Sequence, residues 1–326
     1  MTKIIGRMKE IGVAKETVRG AGASPSFFIP KVDFTLDDKT VKARTKEGYG
    51  NIVADGNQAI PTKQWAEGQI VMDMLDKNFG LFLYALLGGK SVSGPTDSAY
   101  THTFTLDSTS NQHQSLAISV KESSIAQFMY KLGMINAMTL EITPEEAVKV
   151  TVELMAKRGV TTTQTYTYVA ENKFLGRDLQ FKIASLTSGL TAASTIPLKK
   201  LTLKVEKGTV LDHNTGTVQP GDILNQGFKI SGEVELDYQD RTYSDLMLDG
   251  TYKALRINLI NTRALIGAST RPAFKLDLSR VEFDQWEADF KNDELAKQKF
   301  SFMALWDITN GNLIDSCTLI NTQASY

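Results

Sequence analysis

Cys317 is the only cysteine in this chain of 326 residues, and His102, His113 and His213 are the only histidines. A lone thiol excludes an intrachain disulfide and any zinc site built on cysteines. The histidines lie far apart and form no H-x-H or H-x-x-x-H pair, so each reads as a surface residue rather than a metal ligand. Cys317 has no nucleophile signature around it and reads as a small buried apolar residue. Charge of one sign is also missing: 36 basic residues face 37 acidic ones. A chain this neutral has no electrostatic grip on a phosphate backbone. The most apolar run, Leu81 to Leu87, is far shorter than the roughly 20 residues that cross a bilayer. The first ten residues are charged throughout and have no signal-peptide core. These absences read as a soluble chain made in a reducing cytoplasm. No phosphate loop, dinucleotide fingerprint or G-x-S-x-G elbow occurs. Asp212 to Thr217 starts like a calcium loop, but Thr217 stands where glycine is needed and Ile223 where glutamate is needed. A turn is the better reading there.

What the chain does have is one short unit, twice. Gly68 to Asp76 reads as a strand that runs into a helix beginning near Phe79. Gly232 to Asp240 reads the same way, with its helix beginning near Thr242. In the first helix Phe79, Phe82, Leu83 and Leu86 fall at i, i+3, i+4 and i+7, which makes one apolar stripe. Tyr243, Leu246 and Met247 start the same stripe in the second. Asp76 and Asp240 stand in the capping places, where a carboxylate can accept from first-turn N–H groups. Gly88 and Gly89 supply the stop.

The surrounding stretches repeat as well. Gly6-Arg7 is echoed by Gly176-Arg177. The small-residue loop before Ile29-Pro30 is echoed by the one before Ile196-Pro197. The alternating run Val32 to Leu36 is echoed by Leu201 to Val205. Alternation marks further strands at 11–14, 101–106, 116–120, 130–142 and 148–154, then at 253–259, 274–278, 281–283 and 300–306. Acidic turns near Pro144 and Asn292 make hairpins of the last pair in each half. Lys90 to Ala99 reads as a loop. The Thr-rich stretch 157–172 reads as the boundary, dividing residues 1–165 from 166–326. The fold class expected is mostly β with short helices, an α+β chain of two related β domains, each flanked by one helix and each large enough for its own core.

Two long polar segments stand out, 40–67 and 207–227. Lys42, Arg44, Lys46, Tyr49 and Trp65 in the first, and Asp212 and Asn214 in the second, are candidate partner contacts, because segments this long either reach for something or stay mobile. Glu233, Glu235 and Asp237 alternate with Val234, Leu236 and Tyr238, so three carboxylates share one sheet face. Glu282, Asp284, Glu287 and Asp289 continue the habit around Trp286. A solvated face explains such a row; a metal, or a wall that repels polyanions, are the other two readings.

The opening from Ile11 to Gly22, leading to Phe27-Phe-Ile-Pro30, resembles the start of major tail tube proteins of long-tailed bacteriophages. So does the glycine-led strand followed by a helix from Phe79 that closes on Leu86-Leu-Gly88. The resemblance covers most of the chain as an order of elements. It implies a β-sandwich or barrel with one flanking helix, repeated here, so that three fused chains make a pseudo-sixfold ring. It implies a virion protein assembled in the host bacterial cytoplasm, with no enzymatic activity, no cofactor and no membrane insertion. The implied partners are further copies of the chain, the tape-measure protein, tail terminator and baseplate proteins, and phage DNA passing without specific binding. Residues 40–67 and 207–227 match the family's ring-to-ring loop in position. Under this reading Glu233, Glu235 and Asp237 line the lumen, and the Lys-rich strand 198–207 faces elsewhere. A tail terminator or baseplate ring protein is one alternative, and a carbohydrate-binding or adhesin-like β-sandwich another. A hydrolase is more distant, for want of any motif.

Overall fold

A computed structural model describes residues 3–53, 56–123 and 126–326. In chain order the first half holds β1 (Glu10–Lys15), β2 (Phe27–Phe28), β3 (Lys31–Arg44), β4 (Ala59–Asp73), helix α1 (Phe79–Leu87), β5 (Gly88–Thr96), β6 (Ala99–Leu106), β7 (Leu116–Lys121), β8 (Gln127–Ile142), β9 (Lys149–Ala156) and β10 (Val160–Thr161). The second holds β11 (Leu179–Ala184), β12 (Lys200–Glu206), β13 (Thr209–Asp212), β14 (Asp222–Asn225), β15 (Lys229–Asp237), α2 (Thr242–Leu248), β16 (Lys253–Ile260), β17 (Ala273–Asp289), β18 (Lys297–Ala304) and β19 (Ile314–Asn321). The fold is mostly β with two short helices, as the alternation predicts.

The pairing order repeats. In the first half the antiparallel order is β1-β7-β8-β9-β4-β3. In the second it is β11-β16-β17-β18-β15-β12. The irregularities repeat too. β8 shifts register against β9 between Ile135 and Ala137, and β17 against β18 between Phe283 and Gln285. A bulge adds one residue to one strand and bends it, so its placement is a specific feature. Short 3₁₀ turns at Gly6–Met8 and Gly176–Asp178 precede β1 and β11, where the Gly-Arg echo stands. Leu36 lies opposite Gly68, and Leu203 opposite Gly232. The matching residues are therefore Leu36 and Leu203, two places from the alignment that the sequence suggests. A slip of two leaves every side chain on its own face, so alternation cannot detect it.

Two local readings change. Residues 90–96, read as loop, form most of β5, which pairs with β6. Serine, glycine and proline give this strand little intrinsic β preference, and its partner imposes the conformation. Asp76 does not cap α1. Its carboxylate is buried and accepts from the Asn172 N–H at 2.9 Å and the Asn172 amide at 2.8 Å. The Glu171 carboxylate takes the helix end instead, accepting from the backbone N–H groups of Lys77 and Asn78 at 3.1 and 2.8 Å. Asp240 does accept from the N–H at the start of α2, from Thr242 at 2.9 Å. Gly88 closes α1 with φ 90°, a left-handed conformation that glycine adopts without a Cβ penalty.

The core is also shared. One cluster of buried residues runs through both halves, rather than one in each. Phe79 of α1 meets Phe274 of β17 edge to face, with centroids 5.4 Å apart. β19, which no local pattern marks, pairs with both β17 and β6 and so ties the C-terminus to the first half. Beyond it Tyr326 is buried, its hydroxyl donating to the Lys77 carbonyl at 2.6 Å. Gly80 lets that ring close in: a Cβ there would lie 2.2 Å from it.

Candidate assembly surface

β12 does not end the second half's sheet. Its other edge pairs with β8 of the first half, Leu201 opposite Ile142 through Glu206 opposite Ala137. The strands β3-β4-β9-β8-β12-β15-β18-β17 therefore form one continuous ladder across both halves. Four strands come from each half, in matching order.

This sheet has two unlike faces. Val152, Leu140, Leu203, Val234 and Phe302 are buried on one. On the other, Glu233, Glu235 and Asp237 alternate outward from β15, as period two requires. Each has a lysine: Glu233 meets Lys299 at 2.7 Å, Glu235 meets Lys297 at 3.7 Å, and Asp237 meets Lys199 at 3.2 Å. Lys299 is held above its usual range chiefly by its hydrogen bond to Glu233.

The Lys-rich strand does not face elsewhere. Lys200 stands directly opposite Glu235, and Lys204 opposite Ser231. Directly opposed residues of an antiparallel pair share a face. The surface is thus a mixed, ion-paired one. In the first half Glu67, Glu153 and Glu141 continue it, with Lys149 opposite Glu141.

The two polar segments behave differently. The segment 40–67 is mostly a β-hairpin, because β3 and β4 keep pairing out to Arg44 and Ala59. Both faces of these arms are exposed, so no apolar alternation announced them. Lys42 and Arg44 are exposed on β3, and Trp65 is half-buried on β4, its Nε1–H donating to Glu67 at 3.0 Å. Lys46 and Tyr49 lie on the exposed tip, beside Ile52 and Val53; residues 54 and 55 lie outside the described residues. The segment 207–227 holds the small hairpin β13–β14, packed on the first half. The Gln64 N–H donates to the Val218 carbonyl at 2.7 Å. Arg19 donates to Asp222 at 2.7 Å and to the carbonyls of His113 and Ile223. Asp212 ends β13, and Asn214 lies in the turn, its amide 3.3 Å from the Asp212 carboxylate. Arg19 was missed in the sequence, because its partners lie about a hundred and two hundred residues away.

Among the described residues two ladder edges stay open: β3 pairs only with β4, and the second half of β17 pairs only with β18. These edges stand at opposite ends of the sheet.

Chemistry is sparse. Among the described residues no group of three His, Cys, Asp or Glu side chains could hold a metal. His102 and His113 are buried rather than exposed, as sequence reading had them. His102 Nε2 lies 2.7 Å from the Gln323 carbonyl, and the His113 ring bridges the carbonyls of Leu86 and Asp107. Burial lowers the pKa of each. Cys317 is buried, and burial pushes its thiol up to about 12. No described helix is long and apolar enough to cross a membrane.

The model of a protein family described as phage tail tube protein matches residues 6–302. No curated protein matches the chain.

Proposed function

The chain belongs to the phage tail tube protein family, and we propose from that premise that it is the repeating subunit of the tube, with three copies closing each ring. The observation that carries this reading is the continuous sheet of four-plus-four matching strands, apolar on one face and polar on the other. Three such chains supply six matching sets. Head-to-tail association of this kind closes into a ring and removes the open edges that otherwise invite aggregation.

The polar face then lines the lumen. Glu233, Glu235 and Asp237 sit there among lysines already held in ion pairs. A passing duplex meets a surface with no excess of free cations, so little counterion release favours sticking. We place the tape-measure protein in the lumen during assembly, terminator and baseplate proteins at the ends, and DNA in transit without specific binding. The β3–β4 arm, with Tyr49 and Ile52 exposed at its tip, reaches the adjacent ring. We take the two halves, divided near residue 165, as copies of one unit.

Negative-stain microscopy of the purified protein tests this. Rings or tubes of uniform width with an axial opening are expected. Small globular particles alone, at high concentration, overturn it. Rings that never stack point instead to a terminator or baseplate role.

A further inference from the structure

We infer that successive chains join by repeating, between molecules, the junction that joins the two halves within one molecule: β3 of one copy lies along the open edge of β17 of the next, and residues 4–6 enter beside that copy's β17–β18 turn. This deepens the ring reading and rests on it for the identity of the partner, a second copy of this chain.

The internal junction has two contacts. In the first, β12 lies along the second half of β8. The bulges match Ile135 to Phe283, and the paired glycines match Leu36 to Leu203. Carried across, Leu201 opposite Ile142 becomes Phe34 opposite Phe290. Thr202 opposite Glu141 becomes Thr35 opposite Asp289, and Leu203 opposite Leu140 becomes Leu36 opposite Ala288. Ile142 is buried at its junction, whereas Phe290 is 60% exposed in the single chain. Phe34 and Phe290 would form a cross-strand aromatic pair.

The second contact is independent of the first. The Gly176 N–H donates to the Glu146 carbonyl at 2.9 Å, the Val148 N–H donates to the Phe174 carbonyl at 3.0 Å, and Ala147 bridges to Leu175. The matching residues are Gly6 with Glu294, Ile4 with Ala296, and Ile5 with Leu295. Phe174 is fully buried, but Ile4, Ile5 and Leu295 are 54%, 67% and 76% exposed. Isolated exposure of one such residue is ordinary; three that the same superposition brings together are not. A cleft of about 1520 Å³ lies where the turn would enter, lined by Ile4, Gly6, Lys9, Ile29 and Phe34 among others.

The glycines agree. A Cβ on Gly176 would lie 1.9 Å from the Thr143 carbonyl oxygen, so the internal junction demands glycine. A Cβ on Gly6 would meet nothing within 4 Å, so nothing in the single chain demands it. An incoming turn would. The register has two costs: Asp38 comes opposite Trp286, where buried Val205 faces Met138 at the internal junction, and Asp37 comes opposite Glu287. Lys39 lies 3.9 Å from Asp37, and Lys299, which meets Glu233, also stands opposite Glu287.

Two variants test the seam. Thr35→Cys with Asp289→Cys places thiols directly opposite across it, within disulfide span; Cys317 is buried and does not compete. Mild oxidation should give covalent dimers and trimers on a denaturing gel. Lys39→Cys with Asp289→Cys, four residues out of register, should give none. Gly6→Val should melt as the parent does, yet cut the yield of rings at least tenfold. Rings that form without the cross-link, or that tolerate Gly6→Val, overturn the seam and leave the tube reading standing. Cross-linked oligomers with no ring or tube support the seam and overturn the tube. No oligomer of any kind overturns both.

Discussion

Leu203 of β12 stands directly opposite Leu140 of β8, and both are buried. A residue of the second half thus completes a core that the first half begins. The two halves are joined through backbone rungs and shared apolar surface, not through a linker alone. Leu203→Ala should lower the unfolding free energy by about 2–5 kcal/mol, the range for a leucine truncated inside a core. Urea unfolding should show a single transition with an earlier midpoint. Two transitions, with only one of them shifted, would show that the halves unfold separately.

Gly68 faces an obstacle that the chain cannot easily move. A Cβ there would lie 2.0 Å from the Thr35 carbonyl oxygen, which is backbone inside the β3–β4 ladder. Gly68→Ala should cost about 1–3 kcal/mol, as forced overpacking does. Gly208→Ala is a useful contrast. Its Cβ meets nothing, and only its φ of 56° opposes the change. Thermal melts of the pair should rank Gly68→Ala as the more damaging.

Glu171 caps α1 from a half-buried position, and desolvation there is the main cause that pushes its carboxyl up to about 7. The folded state keeps a proton that the unfolded chain releases above its ordinary pKa of about 4.5. This group's contribution is therefore full below that value and is lost as pH rises through about 7. Glu171→Gln should remove that loss. The melting temperature of the variant relative to the parent should rise between pH 5 and pH 8. A constant difference over that range would mean that Glu171 does not titrate as described.

Lys207 carries the opposite sign. It is fully buried, donates to the Ala85 carbonyl at 3.0 Å, and burial with Arg19 nearby brings it down to about 7. Between that value and about 10.5 the unfolded chain binds a proton that the folded one does not. Its contribution is therefore complete above the unfolded value and is lost as pH falls toward about 7. Lys207→Met keeps the aliphatic volume and removes the penalty, at the loss of one hydrogen bond of about 1 kcal/mol. Chemical denaturation should find the variant gaining on the parent as pH falls from 10 to 8. A gain that grows toward pH 10 instead would contradict this account.

Ile52 and Tyr49 are exposed at the tip of the β3–β4 arm, away from every buried cluster. Ile52→Asp should leave the melting temperature within about 1 °C, since surface changes rarely exceed half a kcal/mol. If the arm bridges rings, tube length measured by electron microscopy should fall while ring diameter holds. Tubes of unchanged length would remove the arm from that role.

Much of this architecture follows from the order of the residues. Alternation placed β3, β9, β16 and β18, because one buried face leaves a period of two whatever partner supplies it. The twin glycines and the Gly-Arg echoes stand at matching places in the two strand orders, since each marks a place where backbone or turn geometry leaves few choices. Short-range patterns could not supply partners. β5 is too small-sided to announce itself, the outer arm is solvated on both faces, and β19 owes its place to β6, some two hundred residues earlier. Only the folded chain shows that Lys200 and Lys204 share the face of Glu233 and Glu235, because facing depends on which strands lie side by side. For the same reason it alone displays two open edges at opposite ends of one sheet: pairing is decided between distant segments, and no local pattern records it.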